Sequence, residues 1–252
     1  TATCENIPAG GEGAATPLLL RALPESPAPI AVTLEGTIQT DYGAIAPLQI
    51  QFTVGGFADD CEANRGWTLG ATGDNATSGL WVLADPVGTT YGGGIPQPED
   101  DHTPAPGSIC YVTGNGGAGG AAGDADVDGG RTTLLSPVFD LSRVEAATLH
   151  YWFWYTNDLG NNPGQDTWRV EVTTDGVNWT SLETTMASTN AWAERDFELH
   201  NLITLTDRVQ IRFVAEDLSP GSLVEALVDD FTLTVGGPSE GIEDHAPAVA
   251  AF

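Results

Sequence analysis

The chain predicts an all-β fold, an antiparallel two-sheet sandwich of jelly-roll type with an extended N-terminal arm. Three observations lead there. Many short segments alternate apolar with polar residues at period two, residues 30–38 and 48–54 being clear cases. No segment sustains the roughly 3.6-residue period of an amphipathic helix. Glycine (31 residues) and proline (16 residues) fall between the segments, beside aspartates, where chain reversals need them.

Taken in order, residues 1–54 read as an N-terminal extension. The first stretch is rich in Ala, Gly, Pro and Glu, with one apolar island, Leu18-Leu19-Leu20, and is expected to be an extended arm. Two candidate strands follow at 30–38 and 48–54. Two strands alone are not stable in water, so they must join the main sheet, another domain or another subunit. Residues 55–236 are expected to form the sandwich. Its candidate strands are 66–69, 79–84, 109–113, 132–141, 147–156, 167–173, 179–184, 193–199, 209–215 and 226–235. Asp175-Gly176 lies between two of them and is the strongest short hairpin signal. Two long loops, 85–108 and the glycine-rich 114–131, interrupt the series, and loops of that length are usually functional or tied down. Residues 237–252 read as a linker or tail.

Charge narrows the partners. Against 35 acidic residues stand 8 basic ones, all arginine, for a net charge of −27. Nucleic acid is excluded as a partner, because phosphate contacts need a basic patch. An anionic membrane surface would repel the chain, and no apolar run reaches the roughly 18 residues of a membrane span. Bound divalent cations, a saline setting or plain solubility all accord with such a charge. The chain begins Thr-Ala-Thr, without a signal peptide, and reads as a mature chain or a fragment; an extracellular or cell-surface location is expected. Cys61 and Cys110 both fall in predicted β structure of one domain and are expected to pair, leaving Cys4 free or bonded to another chain.

The hydrolytic and nucleotide motifs are missing: no Gly-x-Ser-x-Gly, no His-Glu-x-x-His and no P-loop. Of four histidines, His150 and His200 lie in candidate strands and His245 in the tail. Only His102 is flanked by acids, in Pro98-Glu99-Asp100-Asp101-His102-Thr103. It reads as a support that orders the loop rather than as a catalytic base. Paired carboxylates are abundant: Asp59/Asp60, Asp100/Asp101 and Asp229/Asp230. A glycosidase would need two carboxyls roughly 5–9.5 Å apart across a cleft. Adjacent acids at strand ends fit a cation better, because they repel one another unless a positive charge lies between them. If the segments Asp60-Cys61-Glu62, Asp100-Asp101 and Asp229-Asp230 converge, they make an oxygen cage for a structural calcium ion, with Asp100, Asp101, Asp229 and Asp230 among its candidate ligands. Asp124, Asp126 and Asp128 form a second candidate metal loop, although the Glu that closes an EF-hand loop is missing and Leu135 stands in its place. In the aromatic run Tyr151-Trp152-Phe153-Trp154-Tyr155, alternation sends Trp152 and Trp154 to one face. They are candidates for stacking on sugar rings, unless the arm or a long loop covers them.

The order of these motifs resembles the MAM domain, an extracellular jelly-roll adhesion module, and more closely its bacterial relatives appended to secreted peptidases and surface proteins. The residues that carry the likeness are Asp60-Cys61-Glu62-Ala63-Asn64-Arg65-Gly66-Trp67, Asp101-His102-Thr103, Thr133-Leu134-Leu135-Ser136-Pro137, Leu149-His150-Tyr151-Trp152-Phe153-Trp154-Tyr155 and Ala226-Leu227-Val228-Asp229-Asp230-Phe231. The resemblance implies a two-sheet jelly roll, non-enzymatic binding or adhesion, and a structural calcium held by Glu62, Asp101 and one of Asp229 and Asp230. The chain departs from the family at Cys61, where an aromatic usually precedes the acid, and in lacking the full set of paired cysteines.

The expected function is a non-catalytic extracellular binding or adhesion module stabilised by calcium, its partner a protein or glycan on a surface. Two alternatives stand beside it. One is a self-assembling filament or surface subunit that exchanges the strands of residues 30–54 between copies. The other is a carbohydrate-binding accessory module of a secreted hydrolase.

Overall fold

The computed structural model describes residues 30–40, 43–54, 56–218 and 221–236, and for residues 30–54 it describes the backbone. The N-terminal arm, Cys4, His245 and the tail lie outside the described residues. β1 (Ile30–Thr40) and β2 (Gly43–Val54) pair antiparallel with each other, Ile30 opposite Val54, in a ladder separate from the other sheets. Strand exchange would need these segments to pair with another copy; in this chain each is the other's partner.

The remaining elements are β3 (Gly56–Asp59), β4 (Thr68–Leu69), β5 (Trp81–Ala84), β6 (Cys110–Thr113), β7 (Gly130–Leu135), β8 (Ala146–Gly160), β9 (Trp168–Thr173), β10 (Trp179–Thr185), β11 (Ala193–Glu198), a single turn of helix α1 (Leu199–Leu202), β12 (Gln210–Asp217) and β13 (Ser222–Gly236). They make a five-stranded sheet, β10-β9-β12-β7-β4, and a six-stranded one, β11-β8-β13-β6-β5, with β3 also paired to β13. Every ladder is antiparallel. The fold is the all-β, two-sheet sandwich that period-two patterning predicts.

Alternation fills the space between the sheets. Trp168, Val170 and Val172 of β9 and Ile211, Phe213 and Ala215 of β12 meet Tyr151, Phe153 and Tyr155 of β8 and Val224, Ala226 and Val228 of β13 in one buried cluster. Trp168 lies at its centre, with stacked centroids 5.6 Å from Phe153 and 5.8 Å from Phe213. The β9–β10 hairpin turns at Asp175-Gly176. Gly176 takes φ +78°, and the Asp175 carboxylate accepts the N–H groups of Val177 (2.8 Å) and Asn178 (2.7 Å). Those bonds hold its carboxyl well below the usual range.

One irregularity in β13 shapes everything near the loops. Asp229 lies opposite Trp152 of β8, but Thr232 lies opposite His150, so Asp230 and Phe231 together face only Tyr151. This is a β-bulge, one extra residue on one strand. Asp230 absorbs it at φ +45°, a conformation that Asp tolerates better than most side chains. A regular strand would send Asp229 and Asp230 to opposite faces. The bulge lets both carboxylates reach the same loop while Phe231 still enters the core.

Candidate functional site

The two carboxylates of the bulge hold loop 85–108 from below. Asp229 is fully buried, and its Oδ2 accepts the backbone N–H groups of His102 (2.8 Å) and Thr103 (3.1 Å). Asp230 accepts the Thr103 hydroxyl at 2.9 Å and lies 2.7 Å from His102 Nδ1. Glu62, from the turn after β3, caps the far end of the loop: its Oε1 accepts the N–H groups of Ser108 (2.9 Å) and Ile109 (3.1 Å). At the near end Gln97 Nε2 donates to Val87 O (2.9 Å), and Glu99 accepts Gly88 N–H (2.7 Å).

The predicted ligand set is thus brought together in part. Glu62, Asp101, Asp229 and Asp230 are neighbours; Asp100 is exposed and contributes its backbone carbonyl to Trp192 Nε1 at 3.3 Å. Asp101 Oδ2 is buried without a hydrogen-bond partner. Burial, then the charge of Glu62 and contact with that carboxyl, push the Asp101 carboxyl up to about 6. Burial likewise pushes Asp229 up to about 7, against the lowering effect of the loop N–H groups. Among the described residues no three His, Cys, Asp or Glu side chains are arranged to hold a metal ion. Most of these oxygens are engaged by N–H and O–H donors, so in this arrangement they clamp a loop.

Asp59 is a participant that sequence reasoning noted only as half of a pair. It is buried beside the clamp, its Oδ2 accepting Trp67 Nε1 at 2.8 Å and its Oδ1 accepting Cys61 N–H at 3.0 Å. The Gly66-Trp67 that follows the acids was the available signal, since an indole N–H inside a core needs an acceptor.

The clamped loop lies on the outer face of the six-stranded sheet and covers the tryptophans predicted to stack on sugars. His102 stacks on Trp152 at 3.8 Å between centroids and 14° between planes, with Trp192 edge-on to it at 5.7 Å. Trp154 is 7% exposed, and its Nε1 donates to Pro96 O at 2.9 Å. Trp154 is therefore covered and one face of the half-buried Trp152 is taken by His102, so the expectation of an open stacking pair is corrected. His102 supports the loop, by stacking and by its contact with Asp230.

The predicted disulfide is also corrected. Cys61 and Cys110 are both free, buried thiols. Cys61 packs in the core between the sheets, whereas Cys110 belongs to a smaller cluster with Val112, Trp154 and Leu227 on the outer side. Burial raises both thiols well above their ordinary value.

The second candidate metal loop does not gather either. Asp124 is exposed and accepts Ala121 N–H (2.8 Å) within its own turn, and Asp128 is exposed as well. Asp126 is 2% exposed, and burial, then the charge of Asp128 and, less, that of Asp217, push it up to about 7. This loop is fastened by close backbone approach: at Gly114, φ +62°, a Cβ would strike the Ala125 carbonyl oxygen.

None of the family models matches the chain, and none of the curated proteins does. Solved structures of similar form include the K1 cleaved adhesin domain of Lys-gingipain from Porphyromonas gingivalis W83, at 14% identity and TM-score 0.45 over 72% of this chain and 99% of that one. The module TmCBM61, solved in complex with β-1,4-galactotriose, has 13% identity and TM-score 0.41 over 68% of this chain and 89% of that one. The C-terminal family 22 carbohydrate-binding module of Clostridium thermocellum Xyn10B has 12% identity and TM-score 0.40 over 72% and 94%. Likenesses this distant lend no residue role to this chain.

The clamp makes a local prediction. In Asp229→Ala both carboxylate oxygens are lost, so the His102 and Thr103 amides have no side-chain acceptor. Hydrogen exchange at those two amides should accelerate at least about tenfold, while Val170 in the core stays protected. Equal protection in variant and wild type would show that Asp229 does not hold the loop.

Proposed function

We propose that this chain is a non-catalytic, extracellular binding or adhesion module of the MAM-like kind. The observation that carries this reading is the employment of the acids nearest to a possible reaction centre. Asp229, Asp230 and Glu62 act as acceptors for the backbone and hydroxyl donors of one loop. The loop's histidine lies flat on a tryptophan. General acid–base work needs a carboxyl or imidazole that can reach a substrate atom, and these groups are occupied in fixing the scaffold. A rigid sandwich with a pinned loop suits the display of a surface. The test is retention of purified cell-surface polysaccharides and proteins on the immobilised chain, with each eluate analysed for chemical change. Retention of a partner unchanged is expected. Steady release of a cleaved or modified product would overturn the non-catalytic reading.

Calcium is the second part of the proposal. The partnerless Asp101 Oδ2 and the repulsion among Glu62, Asp101 and Asp230 support a cation there. Binding would draw these oxygens together and supply charge compensation. The sign of the pH effect follows from the raised carboxyls. In the folded chain Asp101 and Asp229 keep protons that the unfolded chain has released, so their stabilising effect is full below about pH 4. It is lost as pH rises through about 6 and 7. In EDTA the melting temperature should fall across that window. Added calcium should restore more stability at about pH 7.5 than at about pH 5, because it binds the ionised form. A melting temperature indifferent to saturating EDTA at both values would remove calcium from the account.

A further inference from the structure

The outer face of the five-stranded sheet differs from the roofed face opposite. Because Trp168, Val170, Val172, Ile211, Phe213 and Leu134 point into the core, their alternating neighbours point away from it. Arg169 and Glu171 of β9, Arg212, Val214 and Glu216 of β12, and Arg131 and Thr133 of β7 thus share this face. Trp179 of β10 joins it, being directly opposite Thr173. Cross-strand register sets Arg212 beside Glu171, and Val214 beside both Arg169 and Thr133.

Three of the eight arginines are here, and each has a carboxylate partner. Arg212 donates to Glu171 at 2.7 Å, Arg169 to Glu216 at 2.7 Å, and Arg131 lies 3.8 Å from Asp74. The guanidinium of Arg212 also lies 4.1 Å over the ring of Trp179. On a chain of net charge −27 this face is balanced, with three charges of each sign. The Arg212–Glu171 pair holds both side chains in place and leaves guanidinium N–H groups and carboxylate lone pairs unspent, whereas Glu216 is buried with both oxygens engaged, by Arg169 and Thr167.

We propose that this face binds a neutral oligosaccharide, with Trp179 as the stacking ring and Arg212, Glu171 and Arg169 as hydrogen-bonding partners. The inference rests on the binding-module reading and names its ligand class and site. Charge selects the class. An anionic glycan would meet the repulsion of the whole chain and guanidinium groups already neutralised. A neutral, hydroxyl-bearing chain meets a patch without net charge whose remaining donors and acceptors are fixed in place. An apolar peptide would find little beyond one indole and the buried Val214.

The test is calorimetric titration of the full chain with neutral β-linked gluco-, xylo-, manno- and galacto-hexaoses, and with an oligogalacturonate as the anionic control. At least one neutral hexaose should bind and the oligogalacturonate should not. Trp179→Ala and, separately, Glu171→Gln should each weaken binding by roughly tenfold or more, with melting temperatures showing that both variants fold. Trp152→Ala, beneath the roof of the other sheet, should bind as wild type does. Binding that survives both Trp179→Ala and Glu171→Gln would overturn the site. A wild-type chain that takes no neutral hexaose, yet retains a purified surface protein unchanged, would overturn this inference and leave the module reading standing.

Discussion

One extra residue in β13 sets the geometry on which the rest depends. A strand that alternates strictly can offer one face only every second side chain. The bulge at Asp229-Asp230 breaks that rule once, so two consecutive carboxylates hold residues 102 and 103 of the same loop. Phe231 regains the inward direction and contacts Trp67 and Phe139. A local backbone conformation therefore supplies both core packing on one side of the sheet and loop anchorage on the other.

That anchorage makes the two outer faces unlike. On the six-stranded sheet, Trp152, Trp154 and Leu227 would form an apolar patch if bare, but His102, Pro96 and their neighbours cover it. On the five-stranded sheet Arg169, Glu171 and Arg212 face outward in ion pairs, beside a buried Val214. The tryptophans that look like a binding platform in the sequence lie against the loop, whereas Trp179, outside the aromatic run, lies on the other sheet under the guanidinium of Arg212.

Much of the architecture was legible in the residues. Period-two alternation located the long strands, and Asp175-Gly176 marked the β9–β10 reversal, because both signals are local. β3 was missed, since four residues beside Gly55-Gly56 carry too little pattern to register. α1 was missed for the same reason. At the site, the sequence expected Glu62, Asp100, Asp101, Asp229 and Asp230 in one neighbourhood; four of them are neighbours, and Asp100 faces solvent. It could not reveal the bulge: Asp-Asp inside an apolar strand reads as a strand end, and only pairing with β8 shows an extra residue. The Cys61–Cys110 expectation failed on facing. Both lie near β13, but one thiol points between the sheets and the other away from them, which period-two counting cannot tell across a turn where Cys61 itself sits at φ +56°.

The bulge can be tested by one comparison, the melting temperatures of Asp230→Gly and Asp230→Ala. Both lose the same carboxylate. In a regular strand glycine is the less stable of the two, by roughly 0.5–1 kcal/mol. At a left-handed position that order inverts, because alanine carries the Cβ strain and glycine does not. The account predicts the higher melting temperature for Asp230→Gly. A higher value for Asp230→Ala would mean that Asp230 is an ordinary strand residue, and the shared origin of core packing and loop anchorage would be wrong.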